Sequence, residues 1–282
     1  MTSNYYYLVA GLPELLLDTG KQQLACVDFL SEAAEQLTPD DLRLLQLLQL
    51  PYDNDNLLTE LLKTDAPFDK KGSISEEDLA IAVKFPDELP EYMQRFVEAQ
   101  RENRSPVPGL TPADQLAWFF YEAMVEQSNE FIREWYTFDL HLRNVITGIN
   151  CRKETGHLEA LATDREKAVT SLIIGRDEVA EAILRSSAPD FGLAAMLPWV
   201  ERLVALARGP VEEFEKGIDD LRWETLDEMT IASYFRAETI FAFFIKCTIV
   251  ERWLALDPTA GKERLDRLLD ELTASYSVPV EF

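Results

Sequence analysis

Residues 111–154 read TPADQLAWFFYEAMVEQSNEFIREWYTFDLHLRNVITGINCRKE, and the rest of the chain is read outward from them. Thr111, Pro112 and Asp114 supply a cap residue, a proline at the first helical position and a carboxylate three places after the cap. No proline follows until Pro189, and the only glycine inside is Gly148. Leu116, Phe120, Met124, Gln127, Phe131, Trp135, Phe138, Leu142, Val145 and Ile149 recur in steps of three or four. Only Gln127 among them is polar, so one apolar face persists throughout. A single helix over this stretch would run roughly 65 Å. The expectation is a spine against which other elements pack, which predicts architecture and no chemistry.

The composition supports helices. The chain has 282 residues, 47% of them apolar, with 15 Phe and 5 Trp to fill a core and only 11 Gly, mostly between periodic segments. Asp plus Glu number 51 against 27 Lys plus Arg, a formal charge of −24. A field of that sign repels nucleic acid phosphates and anionic lipid heads, so nucleic acid is not expected as a partner. The charge serves solubility or offers a docking surface to a basic partner. Cys26, Cys151 and Cys247 are odd in number and widely spaced, as in a reduced cytoplasmic protein. No basic segment precedes an apolar run at the start, so no leader is expected. The most apolar stretch, Ile240 to Val250, carries Lys246 and is too short to span a bilayer.

Before the spine, Tyr5 to Val9 is β-prone and reads as a short strand or extended arm. Lys21 to Leu37 reads as a helix. Thr38-Pro39-Asp40-Asp41 opens another, which Pro51 is expected to end. Short helices over 54–63 and 76–84 and a longer one over 88–103 follow. Residues 103–110, with two prolines and a glycine, read as a linker between a lobe at 1–110 and a region at 111–282. After the spine come short helices, including 198–208 and 211–223, then a second long helix from the capping box at Thr225 to just before Pro258, and a last one over 260–276. The reading is all-α: a multi-bundle protein of long helices.

Catalytic and metal motifs fail on inspection. Glu154-Thr155-Gly156-His157 has the Glu-x-x-His spacing of di-iron bundles, but His141 lacks the second glutamate three residues before it. Gly72, Ile74 and Ser75 echo a calcium loop whose ligand positions would fall on Pro67 and Lys71. Asp40-Asp41 and Asp219-Asp220 read as helix-start carboxylates or solvated faces. No phosphate loop, dinucleotide fingerprint or nucleophile elbow is present. The expectation is no enzyme activity, no cofactor and no metal. The polar residues that stand out are structural. Glu238 interrupts the stripe Ile231, Phe235, Ala242, Ile245, Ile249, Trp253 and Leu256, so a facing basic or donor group is expected for it. Asp139 and Arg143 are spaced to serve each other, and Asn144 beside them bridges helices or faces water.

Three stretches resemble a known family. Asp139 to Asn144-Val145, followed by Arg152-Lys153-Glu154-Thr155-Gly156, is similar to the helix signature of the C component of V/A-type ATPases, called component d in eukaryotic V-ATPases. Asp53 to Asn56-Leu57 gives a shorter copy with the cleaner Asp-x-x-Asn-Leu spacing, and Asp139 and Asn144 stand two residues further apart than it requires. Ser233 to Glu238 resembles a third copy, with Glu238 at a helix-embedded glutamate. The resemblance implies a funnel-shaped helical socket of three related bundles. Such a rotor component links the D and F components of the central stalk to the proteolipid ring, on the cytoplasmic face of the membrane and without spanning it. It transmits torque for ion transport coupled to ATP and has no active site of its own.

Overall fold

The computed structural model describes residues 4–16, 25–102, 104, 109–155 and 172–256. Among these, the regular elements are all helical: α1 (Tyr6–Gly11), α2 (Cys26–Gln36), α3 (Pro39–Leu62), α4 (Glu76–Ala82), α5 (Glu91–Arg101), α6 (Pro112–Met124), α7 (Glu130–Thr155), α8 (Glu178–Arg185), α9 (Trp199–Leu206), α10 (Val211–Thr230) and α11 (Ala237–Ala255), with a 3₁₀ turn at Pro86–Glu88. The all-α reading holds. Most of the 103–110 linker, His157 of the Glu-x-x-His pattern and the last helix over 260–276 lie outside the described residues.

The spine is two helices, not one. The Asn129 side chain caps α7 by accepting the Ile132 N–H at 3.0 Å. Arg133 ties off the turn by donating to the carbonyls of Gln127 and Ser128 at 3.2 and 3.3 Å. α6 and α7 form an antiparallel hairpin in which the Phe120 ring meets Tyr136 edge-on, with 5.0 Å between centroids. The second long helix is likewise broken at 231–236, and α10 pairs antiparallel with α11 through Lys246 and Asp227 at 2.6 Å.

Pro51 corrects a third expectation. α3 runs through it to Leu62, and Lys63 ends the helix in the left-handed region at φ 53°. Pro51 cannot donate to the carbonyl of Leu47. That carbonyl instead accepts the Tyr136 hydroxyl at 2.8 Å, so a neighbouring helix satisfies what the proline leaves open. Tyr5 to Val9 is no strand. Tyr5 caps α1, its N–H donates to the Phe235 carbonyl at 2.7 Å, and its hydroxyl bonds Asp41.

Among the described residues, two apolar clusters form the core. One gathers α2, α3, α5, α6, α11 and the first half of α7, and draws from both sides of residue 110. The other gathers α8, α9 and α10 around Leu142, Val145 and Ile149 of the second half of α7. α7 therefore does join the two halves, at 26 residues rather than over the whole stretch.

The chain contains a repeated unit. α3 and α7 each carry a buried asparagine whose amide closes two bonds with one backbone residue further on. Asn56 accepts the Asp69 N–H at 2.8 Å and donates to its carbonyl at 2.9 Å. Asn144 accepts the Ile174 N–H at 3.0 Å and donates to its carbonyl at 2.8 Å. A short capped helix follows each pinned loop: α4 under Ser75, α8 under Asp177. Then come turns and a packed pair of helices, α5 with α6 and α9 with α10. The last helix of each unit packs on the first helix of the next, α6 on α7 and α10 on α11. Thus α3 and α7 occupy equivalent places, and α11 receives the end of the second unit as α7 receives the end of the first.

Candidate functional site

Those three helices meet around a cleft of about 710 Å³. Pro51 and Tyr52 of α3, Trp135 and Asp139 of α7, and Thr248, Glu251 and Arg252 of α11 line it, joined by Asp219 and Arg222 of α10. A charge network occupies one wall. Asp219 is 1% exposed and accepts from Arg222 at 3.2 Å, from the Trp253 indole at 2.7 Å and from Arg252. Arg222 extends the network to Asp139 at 3.1 Å, and the other oxygen of Asp139 accepts the Tyr121 hydroxyl at 2.6 Å. Arg252 also reaches Glu215 at 3.3 Å.

The electrostatics of this wall favour fixed charge states over proton exchange. Burial works to lower the Arg222 pKa, but Asp139 and Asp219 outweigh it and hold the pKa above the ordinary arginine value. Burial pushes the Tyr121 phenol well up, and adjacent Asp139 adds to it. Burial likewise raises Tyr52. Acids and bases here are matched within the protein, an arrangement that orients helices against each other.

The sequence-predicted polar residues divide between this wall and the pinned loops. Asp139 and Arg143 do not serve each other: Asp139 takes Arg222, while Arg143 pairs with Asp114 at 3.2 Å and donates to the Leu172 carbonyl at 3.2 Å. Asn144 faces neither water nor a second helix but the backbone of Ile174. Asp53 is fully buried beside Asn56 and accepts the N–H groups of Ser73 and Ile74, both at 3.0 Å, and the Ser73 hydroxyl at 2.9 Å. Burial raises its pKa despite those bonds. The loop lies so close that a Cβ on Gly72 would stand 2.4 Å from the Asp53 carboxylate. Of the residues that echoed a calcium loop, Ile74 donates to Asp53, Gly72 packs against it and Ser75 caps α4. Glu238 sits half-buried in the first turn of α11, where the helix N-terminus favours its charge, and no ion pair to it occurs among the described residues. The expectation of a facing base assumes a helix running through 231–236, and the helix breaks there.

Asp219, Arg222, Arg252 and Trp253 do not stand out in the sequence. Asp219 lies mid-helix in α10 and not at a helix start. The available signal is its three-residue spacing from Arg222 between the apolar residues Ile218 and Leu221.

A second surface lies at the break before α11. Tyr7, Ile231 and Tyr234 are 94%, 76% and 75% exposed, and the half-exposed rings of Tyr6 and Phe235 lie 4.5 Å apart. α1 and the 231–236 turn thereby present one aromatic patch.

The α8 cap carries a pH-dependent contact. The hydrogen bond from His141, at 2.9 Å, and the Ala180 N–H hold the Asp177 carboxyl below its usual range. The unfolded chain therefore binds this proton at higher pH than the folded one. The contribution is present above the unfolded carboxylate pKa and is lost as pH falls through the folded one. Asp177→Asn is expected to flatten the acid limb of a stability–pH profile, measured by urea unfolding from about pH 5, ~1 unit above the unfolded aspartate pKa, down to about pH 2, below the folded one.

A family model described as a protein of unknown function (DUF2764) matches residues 1–275. The chain belongs to the DUF2764 family. This corrects the resemblance to the C component of the V/A-type ATPases, since the model that spans the chain is not of that family. The residues that suggested it have local work here: an asparagine pins a loop, an aspartate holds an arginine, and a glutamate sits at a helix start. No curated protein and no solved structure matches the chain. No helix among the described residues of this DUF2764 protein is long and apolar enough to cross a membrane.

Proposed function

We propose that this protein is a non-catalytic coupling component, a stiff helical socket that seats protein partners and does not transform a substrate. The observation that carries the reading is the repeated unit, whose first helices α3 and α7 converge with α11 on one concavity. Its charged wall is already matched internally, so it suits fixing helices and carrying load. The partner class that fits such a socket is a rotary ATPase, with the D and F components of the stalk seated in the concavity and the proteolipid ring beneath. In that role it would sit at the cytoplasmic face and serve ion transport coupled to ATP. Its −24 charge selects basic partner loops, and that binding weakens as salt rises.

A second reading, a free-standing scaffold or adaptor, is favoured by the aromatic patch of Tyr6, Tyr7, Ile231, Tyr234 and Phe235. Affinity purification of the tagged full-length chain from its native host, at low salt and with mass spectrometry of what is retained, separates the two. Stalk and ring proteins in matched amounts support coupling in a rotary ATPase. A different single partner, lost in Tyr7→Asp and Tyr234→Asp proteins that still melt normally, supports the adaptor. Turnover of a small molecule in the cleft, abolished by changing Asp139, would sink both.

A further inference from the structure

We propose that Cys26 and Cys247 are a redox modification site that closes to a disulfide on reaction with a small-molecule disulfide such as oxidised glutathione. The two sulfurs come from residues 221 positions apart, lie 2.7 Å from each other and are fully buried. Cys26 is the first residue of α2 and Cys247 lies in α11, two helices packed face to face. An S–S bond of about 2.05 Å requires the sulfurs to close by less than about 1 Å. A tetrahedral zinc with Zn–S bonds of about 2.3 Å would instead drive them apart to about 3.7 Å. Glu251 could complete a metal set, since the three ligand atoms lie within 4.8 Å of one another. Its carboxylate, however, already accepts the Cys26 N–H at 2.7 Å and stands 3.8 Å from the Lys71 ammonium. These contacts favour the disulfide over the metal.

The chemistry balances as thiol–disulfide exchange. One cysteine loses its proton, and its thiolate attacks a sulfur of the external disulfide, expelling one thiolate and leaving a mixed disulfide. The second cysteine loses its proton and attacks the protein sulfur of that intermediate, expelling the other thiolate. The two released protons go to the two leaving thiolates. Two protein thiols are oxidised by two electrons and one external disulfide is reduced to two thiols. The neighbouring Cys247 thiol, burial and the Glu251 charge all push the Cys26 pKa far up. Cys26 therefore rests as a protonated thiol, and exchange waits on local opening of the α2 start. Once formed, the bond ties α2 to the helix that supplies Glu251 and Arg252 to the cleft.

The test treats the native full-length protein with oxidised glutathione, then denatures it, alkylates the remaining thiols and reads them by mass spectrometry. Of the 3 cysteines, only Cys151 should remain alkylatable, and a peptide linking Cys26 to Cys247 should appear. The Tm should rise by roughly 5–10 °C and return on reduction. Cys26→Ser and Cys247→Ser should each abolish the rise while melting near the reduced parent. Three alkylatable cysteines after prolonged oxidation, or a linkage that includes Cys151, overturns the proposal. So does purified protein holding zinc one-to-one that either serine variant releases.

Discussion

Asp219→Ala is expected to destabilise the protein by about 3 kcal/mol, the low end of what breaking a buried charge pair costs. The carboxylate is almost wholly buried and holds three donors from two helices: Arg222 of α10, and Arg252 and Trp253 of α11. Removing it leaves the Trp253 N–H without this acceptor and two cations without a shared anion. Two facts keep the cost from the top of the range. Arg222 retains Asp139, and Arg252, 43% exposed, retains Glu215 and water. Asp219→Asn keeps the shape and one acceptor oxygen, so it should lose about half as much. Urea unfolding measures both, and the Tm of the alanine variant should fall by roughly 6–10 °C. A loss below about 0.5 kcal/mol, the level of ordinary surface substitutions, would show that the wall does not hold α10 to α11.

Sequence periodicity reveals the helices but not where they turn. From Met124 to Phe131 the apolar step is seven, which a straight helix and a helical hairpin satisfy equally well. The tie-breaker is Asn129 as a cap, and a single half-buried polar residue carries little weight beside a long apolar stripe. Pro51 fails in the other direction. The local rule says that proline ends or kinks a helix, but the Tyr136 hydroxyl, 85 positions away in the chain, takes over the stranded carbonyl. Such long-range compensation leaves no mark near Pro51 itself. Asp53, Asn56 and Asn144 are picked out in the sequence by the spacing of an aspartate to a following asparagine and not by any sign of burial, and the structure buries all three. Their partners are not legible, because apart from the Ser73 hydroxyl each is a backbone group in a loop, and backbone groups carry no sequence signature. The Cys26–Cys247 contact is hidden for a related reason: spacing finds cysteines close in sequence, and these meet only when α2 packs on α11.

The pinned loops give the strongest test of the repeated unit. Asn144→Ala should cost about 3 kcal/mol, since it strands both an N–H and a carbonyl of Ile174 where water does not reach. Asn56→Ala should cost about 2 kcal/mol, because the Asp69 backbone it serves lies nearer the surface. The pattern matters more than the sizes. Hydrogen exchange should show the Ile174 amide losing protection in the first variant with the Asp69 amide unchanged, and the reverse in the second. If each asparagine serves its own unit, the double variant should lose the sum of the two costs to within about 0.5 kcal/mol. A shortfall well beyond that would mean that the contact between α3 and α7 couples the two loops, so that releasing one already loosens the other. That outcome would replace two stacked units with one cooperative block. A socket that carries load from one bundle to the next needs coupling of that kind, whereas an adaptor that merely displays a patch does not. The additivity of two alanines, neither lining the cleft, therefore bears directly on how the protein works.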